Sequence, residues 1–513
     1  MARSVAVVGA GPGGLAAAML LARAGCNVQV FERRDAVGGR ASLVKGRGFL
    51  FDAGPTHLLY PQALERIFSA CGYDLHRKVA LVKADPMYRL VFEGGESLLC
   101  AQHAVTMEQR IGKISAADAK GFLPWLNANR GKFEQLLPLM TEPADKENRK
   151  GGLSRWKARR SMKAAETLDH DVGRYFKNPR LQIAFSASMR RAGISPYAAP
   201  ASLSHLAYLE FEHGLWHPIG GVGGVCEIMA KIAEQMGVKI HLNHSVAEFM
   251  LNARRVTGVV TQGQQHSADA VVLGADFPLF MQKRVPYHLR PTWTTDRIRN
   301  AAYSCSHFVM MLGVAGKFRD LPYLSVFIPK DFRGRMAEIE ELHRYPEQPM
   351  FWVQNPSVLD DTLAPRGMST LVVHVPVTHR DPKIHWEHKQ DLFRDMMLRK
   401  LRRVGIRKWP GHVRFQAIVT PRDWEHEYRA YNGASYGFAP IREQLLDGRP
   451  TNVSEDLDRL YVVGASTHPG VNLPGVFESA RVTARLVLEK YGISAQFLDA
   501  PVRERRSKAT AAL

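Results

Sequence analysis

Ser4-Val5-Ala6-Val7-Val8-Gly9-Ala10-Gly11-Pro12-Gly13-Gly14 is the stretch that decides the fold of this chain. Ser4–Val8 is a short apolar run, the signature of a parallel strand buried on both faces. The glycines follow it directly. Residues 15–24 read as a helix of good formers, stopped by Gly25 just past its end. Asn27–Phe31 reads as a second strand, closed by Glu32. Strand, glycine turn, helix and strand within about 30 residues make a dinucleotide-binding unit. Gly9 permits the tight turn, Gly11 removes the side chain that would block a diphosphate, and Gly14 lets helix and strand approach closely. The helix start, with Pro12 and Gly13, aims free N–H groups and partial positive charge at the phosphates. Glu32 can accept both hydroxyls of a ribose and disfavours a 2′-phosphate, so NADP is the wrong ligand here.

Around this unit the chain is long and ordinary in composition. It has 513 residues, 45% hydrophobic and 23% charged, which excludes a disordered, collagenous or disulfide-stapled protein. Lys and Arg number 69 against 49 Asp and Glu, a surplus of +20 that favours anionic partners. The five cysteines are odd in number and form no CxxC, so buried thiols in a reducing compartment are expected. No signal-peptide core and no bilayer-length apolar run occurs, so a cytoplasmic protein that touches membranes from outside is expected. The apolar run 308–315 reads as a buried strand. Further strands are expected at 238–242, 246–251, Arg255–Thr261, Ala270–Leu273, 371–377 and 459–463, and helices at 389–404 and 476–491. Residues 105–205 read as mostly helical. They carry a basic section of Arg149, Lys150, Arg155, Lys157, Arg159, Arg160 and Lys163 around Trp156, suited to an anionic lipid surface or an acidic carrier protein.

The residues after Glu32 separate FAD from NAD. Arg33 follows directly, and Gly38-Gly39-Arg40 suits a second clamp on the diphosphate. Next comes Phe51-Asp52-Ala53-Gly54-Pro55-Thr56-His57. Later segments are Gly214-Leu215-Trp216-His217-Pro218-Ile219-Gly220-Gly221, Asn355-Pro356-Ser357 and Leu363-Ala364-Pro365. Near the C-terminal end, Leu460-Tyr461-Val462-Val463-Gly464-Ala465-Ser466-Thr467-His468-Pro469-Gly470 leads to Leu473-Pro474-Gly475-Val476. In this order the motifs resemble the bacterial-type carotenoid (phytoene) desaturases, FAD-dependent members of the amine-oxidase superfamily. The resemblance covers about residues 3–490.

It implies an α/β fold: a Rossmann-type, glutathione-reductase-like FAD-binding domain, a mixed β-sheet substrate domain and a helical, membrane-associating lid. The expected boundaries are 1–75, 216–285 and 445–495 for the FAD domain, 76–105 and 286–444 for the substrate domain, 106–215 for the lid, and 496–513 for a disordered tail. It further implies that Gly54, Pro55, Thr56, His57, Val246, Gly464, Ala465 and the loop and helix start 473–476 contact FAD. The chain departs from the family pattern at Asn472, where a glycine is usual, and at Met189-Arg190-Arg191, where a neutral apolar stretch is expected.

The implied reaction is desaturation of a long hydrophobic polyene, with electrons passing to a quinone or oxygen. No protein side chain accepts a hydride, so the cofactor carries the chemistry, and an apolar tunnel is expected beside it. Thr56, His57, Thr467 and His468 are the candidates near the ring, with His57 and His468 the catalytic candidates. Alternatives are a desaturase or isomerase of an acyl chain, possibly carrier-bound, an amine oxidase with Tyr428 and Tyr436 as an aromatic cage, or a prenyl-binding module. His379, His385 and His388 with Glu387 lack the pattern of a metal site, so no metal is expected. No nucleic-acid module is present.

Overall fold

Ser4–Val8 lies at the centre of an all-parallel five-stranded sheet, in the order Lys239–His241, Asn27–Phe31, Ser4–Val8, Ala270–Leu273, Leu460–Val462. The structure is a computed structural model that describes residues 2–143, 153–162, 166–379, 384–403, 406, 411–470 and 472–499. The helix after the glycine turn runs Pro12–Arg23, and Gly13 to Leu21 are all buried. It packs on the helices Gly221–Gln235 and Leu473–Lys490, which explains why its apolar residues run all round rather than along one stripe. Gly14 is required by packing: a Cβ built there would sit 2.1 Å from the carbonyl oxygen of Gly9.

A seven-stranded mixed sheet forms the second layer, ordered Val413–Val419, Ser306–Ala315, Met368–Val377, Phe351–Gln354, Leu324–Ile328, Tyr88–Phe92, Ser97–Cys100. All its pairs are antiparallel except Leu324–Ile328 with Tyr88–Phe92. Side chains alternate across it. Phe308, Met310 and Leu312 pack with Phe393, Met397 and Leu401 of the helix Trp386–Arg403. Val309 and Met311, on the other face, pack with Phe49, Phe51 and Trp424. Asp52 ends the strand Phe49–Asp52 of a separate two-stranded ribbon, and its carboxylate accepts from the N–H groups of Val222 (3.0 Å) and Gly223 (2.8 Å) at the start of the helix Gly221–Gln235. Burial pushes this carboxyl up to about 6, against the pull of those two donors.

Residues 104–213 fold mainly as helices, the longest being Phe122–Thr141. Their core is aromatic: Phe122, Trp125, Phe176, Phe185 and Phe211, with Phe176 stacked on Phe185 at 4.3 Å. Arg190 and Arg191 break the expected neutral stretch by pairing, Arg190 with Glu340 and Arg191 with Glu210. Of the basic section, Arg149, Lys150 and Lys163 lie outside the described residues. Helix Leu153–Met162 carries the rest, and the side chains of Arg155, Trp156 and Lys157 are likewise not among those described. The tail expected from residue 496 begins with an ordered turn, Gln496–Asp499. Leu498 is buried there, and Asp499 accepts from Arg481 and Arg485 at 3.3 and 2.6 Å. Residues 500–513 lie outside the described residues.

Candidate functional site

One cavity of about 520 Å³ runs from the glycine turn to the seven-stranded sheet. Fifteen of the residues expected to bind the cofactor line it: Gly9, Gly11, Pro12, Gly13, Glu32, Arg33, Gly39, Arg40, Gly54, Pro55, Val246, Gly464, Ala465, Leu473 and Val476. They come from three distant parts of the chain, 9–55, 246 and 464–476. The parallel sheet gathers them, because its strand ends carry the loops that form one edge of the cavity.

Glu32 sits at one end with Phe31, Val246 and Phe280. Its carboxylate is buried and oriented by two N–H groups, from Ala10 and Arg34, each at 2.9 Å. Arg34, Lys283, Arg284 and Arg429 line the same cavity and surround it with positive charge. In the middle, Arg40 donates to the carbonyl of Ser435 (3.3 Å) and lies 4.0 Å from Asp276. Asp276 caps the helix Phe277–Arg284 through Leu279, while its Oδ2 is buried without a hydrogen-bond partner. At the far end stand His307, Val309, His374, Trp424, Ser435 and Tyr436.

The cavity fits a dinucleotide by its own geometry. A Cβ built on Gly11 meets no protein atom within 4 Å, and its φ of −70° is open to any residue. The protein therefore gives no reason for glycine at 11, and a ligand pressed against that backbone does. Gly39 approaches the same turn, its added Cβ lying 3.4 Å from the Cα of Gly11. The unpartnered Asp276 Oδ2 provides an acceptor that sugar or ribityl hydroxyls can satisfy.

The other predicted residues support the lining from behind. Gly38 has φ of +104°, which makes the second glycine turn. Thr56 is buried, and its carbonyl accepts from Tyr323 Oη and Gln354 Nε2, both at 2.9 Å. His57 does not line the cavity; burial, then Arg191 and two histidines, push it down to about 3, and its Nδ1 has no partner. Thr467 is spent on the carbonyl of Pro450 (2.6 Å). His468 faces away, toward the carbonyl of Glu142 at 3.1 Å, and burial pushes it down to about 4. Pro474 and Gly475 start the C-terminal helix, and a Cβ on Gly475 would meet Gly470 O at 2.1 Å. Asn472 adopts φ of +75° and caps that helix, its Oδ1 accepting from Gly475 N–H at 3.0 Å, so the substitution for glycine keeps the turn. Tyr428 and Tyr436 both line the cavity, but Arg34 lies over the first ring at 4.8 Å and His307 meets the second edge-on at 5.4 Å.

Sequence reasoning missed His307, His374 and Trp424. A histidine in the apolar run of Ser306–Ala315 carries no local signal of a site. Beside the main cavity lies a void of about 20 Å³ among Tyr60, Phe133, Leu137 and Leu206, adjoining it at Asn472. Among the described residues no group of three or more His, Cys, Asp or Glu is placed to hold a metal ion.

A family model described as flavin-containing amine oxidoreductase matches residues 12–488. The chain belongs to this family. It is an oxidoreductase with FAD as its cofactor. It is 31% identical over 493 residues to a 4,4′-diapophytoene desaturase (4,4′-diapolycopene-forming) of a Methylomonas species, covering 96% of each chain. It is also 31% identical over 495 residues to a zeta-carotene-forming phytoene desaturase of Myxococcus xanthus, covering 94% of each. Identity to the lycopene-forming phytoene desaturase of Pseudescherichia vulneris is 30% over 492 residues, 95% of this chain and 99% of that one. In fold it is similar to an oxidoreductase from Methanosarcina mazei, with a TM-score of 0.60 at 16% identity over 95% of this chain and all of the other.

Proposed function

We propose that this flavoprotein desaturates a long isoprenoid polyene, as the phytoene and diapophytoene desaturases it resembles are named for doing. The observation that carries the reading is the single continuous cavity, which joins the dinucleotide turn to an inner chamber walled by the seven-stranded sheet. In this reading Glu32 holds the adenosine ribose and Val246 lies along the adenine. Gly9, Gly11, Gly13 and the clamp Gly38-Gly39-Arg40 hold the diphosphate. Gly54, Pro55, Gly464, Ala465 and the segment 473–476 hold the ring system. FAD bound there supplies a two-electron, hydride-accepting centre.

The chain's own contribution is position and dryness. Trp424 and Val309 present apolar surface to the chamber, and Trp424 is itself fixed by donating to the carbonyl of His307 at 2.9 Å. A bond of the substrate has to be held within about 3–3.5 Å of its acceptor to react, which a rigid sheet wall serves better than a loop. The reading also takes residues 1–75, 216–285 and 445–495 as the FAD-binding part and 76–105 with 286–444 as the substrate part.

The positive surplus suits docking on an anionic membrane, where a polyene dissolves. No helix among the described residues is long and apolar enough to cross a bilayer. Electrons leave to a quinone or to oxygen.

The test is to mix the purified holoprotein anaerobically with phytoene or 4,4′-diapophytoene in liposomes. Bleaching of the flavin together with a red-shifted polyene chromophore is expected. Stable flavin absorbance with both polyenes ends the proposal. Glu32→Gln is expected to weaken FAD binding roughly 10- to 100-fold, the worth of a hydrogen bond to a charged group. Fluorescence titration of apoprotein measures it, and an unchanged Kd removes Glu32 from the ribose site.

A further inference from the structure

The inner chamber contains a histidine whose geometry is better specified than packing alone needs. His307 is the second residue of the strand Ser306–Ala315 and shares its cavity-facing side with Val309. Its Nδ1 lies 2.8 Å from Ser435 Oγ. That hydroxyl has one hydrogen and also lies 3.3 Å from the carbonyl of Cys305. When the hydrogen goes to that carbonyl, Ser435 accepts from Nδ1–H and Nε2 keeps a bare lone pair, the tautomer that the step below uses. Nε2 is buried and has no partner. Three rings hold the imidazole edge-on: Trp352 at 5.3 Å, Tyr436 at 5.4 Å and His374 at 6.3 Å.

We propose that His307 Nε2 accepts the proton lost in the desaturation, an inference that deepens the reading above and rests on it. One substrate C–H bond breaks with its electron pair, which leaves as hydride to the oxidised FAD. The neighbouring C–H bond breaks with its pair staying behind as the new π bond, and its proton goes to Nε2. The substrate loses two electrons and two hydrogens, the cofactor gains two electrons and one hydrogen, and the imidazole gains one proton. Product release lets water take that proton from the imidazolium.

The location follows from the order of the cavity. Glu32 fixes one end, the glycine turn and Arg40 the middle, so the segment beside His307 is what remains for the reacting ring and the substrate. Base strength is not the requirement. A proton next to a developing carbocation is strongly acidic, so a lone pair in the right place suffices. Burial first, then His374 on the neighbouring strand and Arg190 on the turn Ala187–Ala192, hold this imidazole well below its ordinary value. Tyr436 also faces it, and burial raises that phenol, so it stays neutral. The neutral, accepting form therefore persists across the physiological range. His374 Nε2 is also unpartnered, but no described side-chain contact pairs with its other nitrogen as Ser435 does with that of His307.

The experiment compares the holoprotein with His307→Asn and His307→Gln. Asn keeps a donor within reach of Ser435 and lacks Nε2; Gln offers a non-basic acceptor. With 4,4′-diapophytoene in liposomes, both variants should keep wild-type flavin content and a KM within about threefold. Both should slow anaerobic flavin reduction on the order of 100- to 1,000-fold. Deuterium at the proton-losing carbon should give a larger isotope effect in the variants than in the wild type. The wild-type rate should stay level from pH 6 to 8. Nitrogen-15 NMR of the labelled holoprotein should show a protonated Nδ1 and a bare Nε2 for His307 without any substrate. An active wild type with equally fast variants, or a proton on Nε2, overturns this inference alone. A flavin-loaded wild type inert toward the polyene overturns the desaturase reading and this inference with it.

Discussion

Gly11→Val should give a folded protein that stays colourless. The backbone at 11 has an ordinary φ of −70°, and an added Cβ meets nothing within 4 Å. The apoprotein should therefore melt within a few degrees of the wild-type apoprotein. FAD should not bind, because the branched side chain fills the space in which a diphosphate has to approach the backbone. The loss should exceed about 100-fold in Kd, which corresponds to about 3 kcal/mol. Gly14→Val, three residues on, should behave in the opposite sense. Its Cβ would stand 2.1 Å from a backbone carbonyl that cannot swing aside, so the sheet and helix must separate. The cost should reach or exceed the upper end of ordinary overpacking, about 3 kcal/mol, with or without cofactor. Thermal unfolding of the apo forms beside flavin titration distinguishes the two. A yellow Gly11→Val protein would show that the turn holds no diphosphate.

Glu340→Ala should be the most destabilising change outside the residues that hold the cofactor. Arg190 is fully buried, and Glu340 is its ionic partner. Glu340 also accepts from Ser195 N–H at 2.8 Å. Even with Glu340 in place, Nε and Nη2 of Arg190 have no partner. Removing the carboxylate leaves a dry charge uncompensated, at a cost of about 3–5 kcal/mol in unfolding free energy. The double replacement Arg190→Met with Glu340→Met should recover most of that loss, because it removes the charge together with its counterion. Urea titrations of the three proteins measure this. If Glu340→Ala unfolds at the wild-type midpoint, the pair contributes nothing.

These two cases also mark what could be read from the sequence. The dinucleotide unit is local: strand, turn, helix and acid follow one another, so periodicity and glycine spacing place them to within a few residues. The expected helix 15–24 starts three residues late because Pro12, Gly13 and Gly14 already belong to it. The terminal motif was readable for the same reason, since Gly464 to Val476 form one loop and one helix start. Arg190 with Glu340 and His307 with His374 belong to another kind of information. Their partners lie 150 and 67 positions apart, and only sheet pairing or layer docking brings them together. In the sequence Arg190 reads as an anomaly and His307 as a polar guest in an apolar strand. Thr467 and His468 show the opposite case. Their motif placed them near the ring, whereas the loop turns both side chains back into the protein.

The parallel sheet draws its five strands from positions spread between residues 4 and 462, and Leu460–Val462 is an edge strand of it. The helix that closes it, Leu473–Lys490, comes later still. A nascent chain emerging from the ribosome thus exposes its glycine turn long before the other half of the cradle exists. Loading of the cofactor must wait until the segment through Lys490 has emerged. Any product of premature termination before residue 460 would be a chaperone or protease client, never a partly active enzyme.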